Sequence, residues 1–364
     1  MALTKIDISM YEDVSGANNL VKLDANAKIP AGSAANLTNL PGPVQSTSDP
    51  TISSNKALGT QWINKTSGEV YVCTDATAGE NVWTNVGEGT GDISPWGRPW
   101  GGTAYGYQAG GYSNSSSPID SINKYSYTSD ANATDVGNLT WATDGNACHS
   151  STTHGYAATG DHPVTTNINK WSFASDGNAV SYGGTVIAGG WGTSGSYSTT
   201  HGYTWGRNNS GPYHNLIDKF SFTTEANATD VGDMSVAGSY HGAASSETYG
   251  YCMGGGPGTH DNVIDRVSFT TDGNATDVGD LLSNMGYLSG HQSQTYGYTS
   301  GGMTWPGSSP QNTIQKFAFG SSSNSTDVGD LIAVSINHSG SSSGTHGYSG
   351  CGGPNGGPYV NTIQ

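Results

Sequence analysis

The sequence predicts an all-β protein, and three recurring markers carry this prediction. A (Tyr/His)-Gly-Tyr triplet occurs six times, with its glycines 47 to 50 residues apart, at Gly106, Gly155, Gly202, Gly250, Gly297 and Gly347. An isoleucine that usually opens Ile-(Asn/Asp/Gln)-(Lys/Arg) follows each triplet, and Thr-Asp-Val-Gly follows four of them. Repeats of this length with about four short strands each are typical of the blades of a β-propeller.

The fourth repeat shows the four predicted strands in order. A small, Ser-rich strand (residues 241–246) precedes an aromatic strand (residues 249–253) that ends in three glycines. Residues 264–269 then alternate between unlike faces of a sheet, which is the period of a β-strand. Asp272-Gly-Asn274 has the composition of a hairpin turn, and residues 275–281 form the fourth strand.

The composition first suggests disorder, because the 364 residues include 55 Gly and carry a net charge of −16. The 9 Trp, 20 Tyr and 6 Phe argue against a solvated coil, since aromatic side chains bury large apolar areas. Few clustered Lys and Arg exclude a nucleic-acid binder, and no apolar stretch is long enough for membrane insertion. Residues 1–10 lack the apolar core of a secretory signal. The four cysteines form no C-x-x-C, so we expect neither a disulfide framework nor a zinc site.

The order of features within a repeat resembles the kelch-type propeller repeat. An aromatic strand ends in Gly-Gly, a loop of variable length follows, and an aromatic strand with Asp or Asn leads into a turn. The double glycines are Gly110-Gly111, Gly254-Gly255, Gly301-Gly302 and Gly352-Gly353. The kelch tryptophan of the fourth strand is replaced by Thr-Asp-Val-Gly. The resemblance implies a kelch-like propeller over residues 94–364.

We count about six blades, of which the first is opened by residues 95–103. The sixth stops at Ile363-Gln364 and lacks its outer strand. Because an unpaired blade exposes a sheet edge, we expect N-terminal residues or a neighbouring subunit to complete it. A five-bladed ring with a separate terminal hairpin is the alternative.

Residues 1–93 do not share the repeat. Residues 1–45 contain short apolar pieces separated by Pro and Gly, which is typical of an extended arm that a partner orders. Residues 46–93 combine a polar linker (residues 45–54) with a small β meander. Its three predicted strands are residues 61–64, 69–73 and 81–85. A meander of this size needs a surface to pack against.

Three segments resemble structural proteins of bacteriophages. Leu23-Asp-Ala-Asn-Ala-Lys-Ile-Pro30 is similar to a motif near the N-termini of tail-fibre and other virion appendage proteins, and the meander resembles a module of the same proteins. The repeated Ser-Phe-Thr-Thr-(Asp/Glu)-Xaa-Asn-Ala-Thr-Asp-Val-Gly block is similar to propeller repeats of marine phages. The resemblance implies a multi-copy or homo-oligomeric protein on the particle surface, with an arm that binds other virion proteins. The anchoring residues would be Leu20, Leu23, Ile29, Pro30, Leu37 and Leu40.

The histidines are candidate catalytic or metal-binding groups. His154, His201 and His346 occupy the triplet position that is Tyr in the other repeats, which indicates a packing role. A second set lies on the presumed innermost strands, where imidazoles facing a central channel would bind a divalent cation. These are His149, His241, His291 and His338. Without matching carboxylates, packing is again the preferred interpretation.

Other catalytic or metal sites find little support in the sequence. Residues 272–280 resemble a calcium loop, but the distal Glu and flanking helices of an EF-hand are missing, so a hairpin turn is preferred. A galactose-oxidase-like copper site requires a Tyr/His set with a Cys–Tyr cross-link, and no such set stands out. We therefore expect no catalytic residues, no metal and no cofactor, and hence no enzyme.

The loops between the second and third strands vary most between repeats, and binding residues concentrate on such loops. Aromatic side chains stack on sugar rings, and neighbouring Asn and Asp side chains form hydrogen bonds with the sugar hydroxyl groups. The predicted ligand-binding residues are Trp205, Asn208, Tyr213, His214, His260, Asp261, Trp305 and Tyr359. The sequence thus predicts a non-enzymatic virion structural protein (tail fibre, or head or neck appendage) that binds a host glycan or receptor. Loops that only contact neighbouring subunits, or a secreted carbohydrate-binding propeller, are the alternatives.

Overall fold

The computed structural model describes residues 42–86, 104–113, 117–209, 211–256 and 261–364. The chain divides into two compact units, Met1–Pro95 and Trp96–Gln364. All regular secondary structure in the described residues is β, which confirms the all-β prediction. Within the same residues, no helix is long and apolar enough to cross a membrane.

The first unit contains one four-stranded sheet, in the order β1-β2-β3-β4. Its strands are β1 (Val44–Ser46), β2 (Gln61–Asn64), β3 (Val70–Asp75) and β4 (Val82–Asn85). The three strands predicted by the sequence are β2 to β4. Strand β1 lies parallel to β2, where the sequence predicted a polar linker. An edge strand pairs through its backbone alone, so its polar side chains gave no periodic signal.

The core of the first unit is aromatic. Tyr71, Cys73 and Trp83 are buried, and Trp62 packs against them. The rings of Trp62 and Trp83 meet edge to face, with centroids 5.7 Å apart. Trp83 Nε1 donates to the carbonyl of Thr51, at 3.1 Å, and this bond ties the segment after β1 to the core.

In its described residues, the second unit contains six successive antiparallel sheets and one small additional sheet. Sheet 1 comprises β5 (Tyr105–Tyr112), β6 (Pro118–Ser126) and β7 (Thr134–Asn138). Sheet 2 comprises β8 (Ala147–Ser150), β9 (His154–Ala158), β10 (Asn167–Ser172) and β11 (Val180–Gly184). Sheet 3 comprises β12 (Ser194–Tyr197), β13 (His201–Asn208), β14 (Tyr213–Ser221) and β15 (Thr229–Asp233). Sheet 4 comprises β16 (Gly242–Ser245), β17 (Tyr249–Met253), β18 (Val263–Ser268) and β19 (Thr276–Asp280).

The last two sheets follow the same order. Sheet 5 comprises β21 (Ser289–Gln292), β22 (Tyr296–Ser300), β25 (Thr313–Ala318) and β26 (Thr326–Asp330). Beside it lies a small sheet of β20 (Met285–Gly286), β23 (Met303–Thr304) and β24 (Ser309–Pro310). Sheet 6 pairs β27 (Ser339–Ser342) with β28 (Gly347–Gly350), and Gly350 also bridges to Ile363.

In four of the six repeats, the triplet glycine is required by the ring of its cross-strand partner, whereas Gly250 of sheet 4 lies opposite Val267. Gly155 pairs with Trp171, and Gly202 pairs with Phe220. A Cβ at either glycine would collide with that aromatic ring. The same pairing joins Gly106 to Tyr125 and Gly297 to Phe317. Each ring therefore lies flat over a backbone that carries no side chain.

The second tyrosine of the triplet stacks on an aromatic ring of the following sheet. Tyr156 and Phe222 have centroids 4.7 Å apart, and the tyrosine hydroxyl donates to the Phe222 carbonyl at 3.2 Å. The equivalent stacked or tilted pairs are Tyr107–Phe173, Tyr203–Phe269 and Tyr251–Phe319. Tyr348 of sheet 6 makes the same contact with Tyr127 of sheet 1, at 4.6 Å. Its hydroxyl donates to the Tyr127 carbonyl at 3.4 Å.

The outer strand of one sheet is hydrogen-bonded to the hairpin turn of the next. The amide of Asp233 donates to Asn274 Oδ1 at 3.1 Å, and the amide of Ala275 donates back to the Asp233 carbonyl at 2.8 Å. Three further junctions repeat this side-chain contact, through Asn178, Asn227 and Asn324. The repeated Asn-Ala-Thr-Asp-Val-Gly block therefore holds neighbouring sheets together.

A third contact uses the residue that follows the marker isoleucine. The side chain of Gln315 accepts from the amide of Leu282 at 2.8 Å, and Asp265 accepts from the amide of Ser235 at 2.8 Å. Gln364 of the sixth repeat accepts from the amide of Ile332 in the same way, at 2.7 Å. Gln364 thus occupies the position where a third strand begins.

The first strands of neighbouring sheets approach each other through very small residues. A Cβ at Gly290 would collide with the Ala243 carbonyl, and one at Gly340 would collide with the Gly290 carbonyl. This close backbone approach accounts for the Gly-rich and Ser-rich first strands. It also explains why so few aliphatic residues suffice to build the core.

Candidate binding face

The linkers between sheets and the loops between second and third strands lie together. We call this end of the second unit the loop face. The amide of Gly255 in a loop donates to the Met285 carbonyl in a linker, at 2.8 Å. Gly302 donates to the Ser335 carbonyl at the same distance, and Gly111 donates to the Thr143 carbonyl. Backbone hydrogen bonds therefore fix the loops to the linkers.

One linker position has a left-handed backbone in every repeat where it is described. It lies ten residues before the triplet glycine. The residues are Gly145 (φ 66°), Gly192 (φ 73°), Tyr240 (φ 63°), Tyr287 (φ 59°) and Asn337 (φ 54°). Gly and Asn tolerate this conformation, whereas a bulky residue there is unusual. Two successive repeats nevertheless carry tyrosine.

Tyr240 and Tyr287 stack on each other. Their ring centroids are 4.0 Å apart and their planes differ by 29°. The amide of Tyr287 donates to the Tyr240 carbonyl at 2.8 Å, and the amide of Tyr240 donates to the Gly192 carbonyl at 2.7 Å. Strained backbone that persists against its cost is a reason to look for function. We call Tyr240 and Tyr287 the tyrosine pair.

Two other loop-face residues lie near the tyrosine pair. Burial raises the pKa of Tyr240, and the neighbouring Tyr287, Tyr213 and Asp161 raise it further. Burial also raises the pKa of Tyr287, with a smaller contribution from Tyr213. A side-chain hydrogen bond also links the two tyrosines, and both hydroxyls stay protonated at neutral pH. Tyr213 is one of the ligand-binding residues that the sequence predicted.

The other residues predicted for this loop lie on strands, because Asn208 ends β13 and His214 belongs to β14. Asn208 and His214 are partly exposed, and Asn208 pairs with Trp191 through the backbone. Trp205 is fully buried between sheets 3 and 4, where its Nε1 donates to Ser196 Oγ at 2.8 Å. Trp205 lies on strand β13, which extends further than predicted, so it contributes to the core instead of an exposed ligand contact.

The predicted residues of the later loops are accessible where they are described. Trp305 is 36% exposed and Tyr359 is 38% exposed, while Asp261 is partly buried. Burial, followed by the charges of Asp265 and Asp277, raises the pKa of Asp261 to about 7. His260 lies outside the described residues, as do the anchoring residues of the arm.

Further exposed aromatic residues lie in the linkers and loops of this face. Trp191 is 48% exposed and Trp141 is 53% exposed. They lie outside the second-to-third-strand loops, for which the sequence predicted ligand contacts. The tyrosine pair was missed for the same reason. Alignment of the six repeats at the position ten residues before each triplet glycine would have revealed it.

Two carboxylates and one imidazole meet at the edge of the loop face. His162 Nδ1 lies 3.2 Å from Asp144 Oδ1 and 3.0 Å from Asp161 Oδ2. Burial raises the pKa of Asp144, and His162 counteracts part of this effect. These donor types suit a divalent cation. The contacts of His162 Nδ1 with the two carboxylates explain the same arrangement of these three side chains without a cation.

The histidines of the first strands are buried between sheets. His149 Nε2 contacts the Tyr203 carbonyl at 3.0 Å, and His291 contacts Ser300 Oγ at 2.8 Å. Burial lowers the pKa of both to about 4. His241 and His338 are also buried. These positions fit the preferred packing interpretation, and His291 Nε2 and His338 Nε2 both contact Ser300 Oγ.

The repeated acidic turns are satisfied by backbone groups. Asp277 Oδ1 accepts from the amide of Gly279 at 3.1 Å, and Asp230 accepts from the amide of Gly232 at 3.1 Å. A carboxylate held this way shapes the outer strand. The preferred hairpin interpretation of residues 272–280 agrees with this geometry.

Comparison of the sequence with models of known protein families and with curated proteins finds no match. The residues of the loop face and the arrangement of the sheets are therefore the basis for inferring function.

Proposed function

We propose that the second unit is a six-bladed, kelch-like β-propeller and that the protein is a non-enzymatic structural protein of a bacteriophage virion. Its function would be adhesion or decoration at the particle surface, as part of a tail fibre or of a head or neck appendage. The loop face would bind a glycan or receptor of the host, and the N-terminal arm would bind other virion proteins.

The contacts between sheets support a closed ring of six. Four junctions from sheet 1 to sheet 5 share the tyrosine-on-aromatic contact, and Tyr348 repeats it against Tyr127 of sheet 1. Tyr125 is also hydrogen-bonded to Ser341, and Gln108 to Ser339. A five-bladed ring would require sheet 5 to make these contacts with sheet 1. The described contacts favour six blades over that alternative.

The tyrosine pair is the observation that carries the binding proposal. It occupies a left-handed position where other repeats have Gly145, Gly192 and Asn337, so packing of the linker does not require an aromatic side chain. Aromatic rings with hydroxyl donors stack on sugar rings and bond to their hydroxyl groups. Tyr213, Trp191 and Trp305 extend the aromatic surface around the pair.

The test replaces each tyrosine by the residue that other repeats use. Tyr240→Gly and Tyr287→Gly should leave folding intact and reduce binding to a glycan array and to host cells by about tenfold or more. Tyr296→His is the matched control, because three other repeats have His at that triplet position and Tyr296 lies outside the loop face. Undiminished binding in both glycine variants would refute the proposal.

The virion location is supported by the N-terminal resemblance and requires its own test. Labelled antibody against the propeller should decorate purified particles, and cross-linking should join residues 1–45 to other virion proteins. A secreted carbohydrate-binding propeller is the second candidate, favoured by the same aromatic face. A free, monodisperse protein that binds glycan and is absent from particles would support that candidate.

A further inference from the structure

Asp144, Asp161 and His162 bring three metal-ligating atoms together at the edge of the loop face. Asp144 lies in the linker between sheets 1 and 2, and Asp161 and His162 lie in the loop between β9 and β10 of sheet 2. One ligand atom of each residue lies within 4.8 Å of those of the other two. No other three His, Cys, Asp or Glu residues in the described part of the chain lie this close together. We call these three residues the Asp-Asp-His cluster.

The backbone holds the two carboxylates of the cluster side by side. Asp144 and Asp161 form an antiparallel bridge, in which the amide of Asp161 donates to the Asp144 carbonyl at 2.9 Å. The buried hydroxyl of Thr143 donates to the Asp161 carbonyl at 2.8 Å. A Cβ at Gly160 would collide with the Thr143 side chain, so the loop approaches this residue closely. These contacts fix the two Asp residues independently of His162.

The cluster contains two carboxylates with little positive charge beside them. The Asp161 side chain is 10% exposed and the Asp144 side chain is 24% exposed. The ion pairs of Lys and Arg in the described residues join three other carboxylates, those of Asp176, Asp218 and Asp272. Burial raises the pKa of Asp144, and the negative charge of Asp161 raises it further. Partly buried carboxylates that are this close repel each other unless a cation lies between them.

Hydrogen bonding by His162 does not satisfy both carboxylates. Its Nδ1 lies 3.2 Å from Asp144 Oδ1 and 3.0 Å from Asp161 Oδ2. A ring nitrogen carries at most one proton, whether the imidazole is neutral or charged. One Nδ1 proton therefore makes a full hydrogen bond to only one of the two carboxylates.

A metal ion satisfies all three atoms at once. Zinc lies about 2.0 to 2.2 Å from nitrogen and oxygen ligands, which places neighbouring ligands about 3.0 to 3.5 Å apart. The two distances from His162 Nδ1 to the carboxylate oxygens, 3.2 and 3.0 Å, lie in this range. Two carboxylates balance a divalent charge, and imidazole is a ligand that suits zinc better than it suits Ca²⁺ or Mg²⁺. The His162 side chain is 46% exposed, so an ion reaches it from solvent.

We propose that the Asp-Asp-His cluster binds one divalent transition-metal ion, for which Zn²⁺ matches the ligand types best. Asp144 Oδ1, Asp161 Oδ2 and His162 Nδ1 are the ligands, and water completes the coordination. The ion joins the linker that enters sheet 2 to a loop of the same sheet. The sequence predicted no metal site, because His162 lies 18 residues after Asp144 and only the backbone bridge brings the ligands together.

The test uses the full chain, stripped of metal with EDTA and dialysed, and ZnCl₂ as the probe. Calorimetry should show one Zn²⁺ bound per chain, and saturating Zn²⁺ should raise the thermal unfolding midpoint. Asp161→Asn and His162→Gln should each weaken binding about tenfold or more and remove the rise in midpoint. Asp130→Asn and His346→Gln change the same residue types at exposed positions and should leave Zn²⁺ binding unchanged. Mg²⁺ should bind at least about tenfold more weakly than Zn²⁺.

Two results would overturn the proposal. One is a wild-type protein that does not bind Zn²⁺ in a one-to-one ratio. The other is a site variant, Asp161→Asn or His162→Gln, that binds Zn²⁺ as tightly as the two control variants, since other side chains would then hold the ion. Because the probe is the metal alone, these results do not depend on whether the tyrosine pair binds a glycan.

Discussion

Arg207 and Asp218 form an ion pair whose side chains are completely buried, with Nη2 and Oδ2 2.6 Å apart. Arg207 Nη1 also donates to the Ile187 carbonyl, and Asp218 Oδ2 accepts from the amide of Val186. Arg207 occupies the second position of the double glycine, where other repeats have Gly111, Gly255 and Gly302. The ion pair therefore holds the linker that enters sheet 3, using a residue specific to that repeat.

Arg207→Ala should destabilise the protein by about 3 to 5 kcal/mol, because it leaves a buried carboxylate without its counter-charge. Urea unfolding followed by tryptophan fluorescence measures the effect. The double change Arg207→Gly with Asp218→Asn reproduces the residues of repeat 2, Gly160 and Asn169, and should cost clearly less. Equal losses for the single and double variants would contradict this account.

Gly155→Ala should destabilise the protein by about 1 to 3 kcal/mol or more, because its Cβ would collide with the Trp171 ring. Gly347→Ala is the matched control at the same repeat position, where the nearest described contacts to a Cβ are His291 atoms at 3.2 Å or more. The difference in urea midpoint between the two variants measures the cost of the collision. If both variants lose the same stability, the ring does not explain the triplet glycine.

Acidification should destabilise the protein between about pH 6.5 and pH 4. Burial lowers the pKa of His291 from 6.5 to about 4, so between these two pH values the unfolded chain binds a proton that the folded protein does not bind. The neutral His291 therefore contributes stability that is fully present above pH 6.5. That stability is lost as the pH falls through about 4, and it amounts to about 3 kcal/mol for a shift of this size. Urea unfolding at pH 7.5 and pH 4.5 measures the loss.

His291→Gln should reduce this pH dependence without abolishing it, because burial also lowers the pKa of His149 and His338. His346→Gln, at an exposed triplet position, is the matched control. Asp261 acts in the opposite direction. Burial raises its pKa to about 7, so its contribution is present at acid pH and is lost as the pH rises through 7. The comparison is therefore best made in an Asp261→Asn background. An unchanged slope in His291→Gln would refute the assignment.

The markers of the repeat were sufficient to predict strand order within each sheet, because their spacing and their two-residue alternation are local properties. The variable loops also predicted the accessible residues Trp305 and Tyr359, whereas Tyr213 begins strand β14 and is partly buried. It misplaced Trp205, because nothing in the local sequence shows that β13 continues through Asn208 and turns this ring into the core. It also missed Tyr240 and Tyr287, whose significance depends on a left-handed backbone.

The sequence alone determined the period, the β class and the presence of aromatic loops. Only the tertiary structure decided what each marker does. The triplet glycine makes room for a ring on the neighbouring strand, and the Asn-Ala-Thr-Asp-Val-Gly block bonds one sheet to the next. The acidic, Gly-rich composition is compatible with a folded core because aromatic stacking and close backbone approach replace aliphatic packing. The Asn contact joins residues 41 positions apart, and the tyrosine contact joins residues 66 to 68 positions apart, separations that a local pattern cannot reveal.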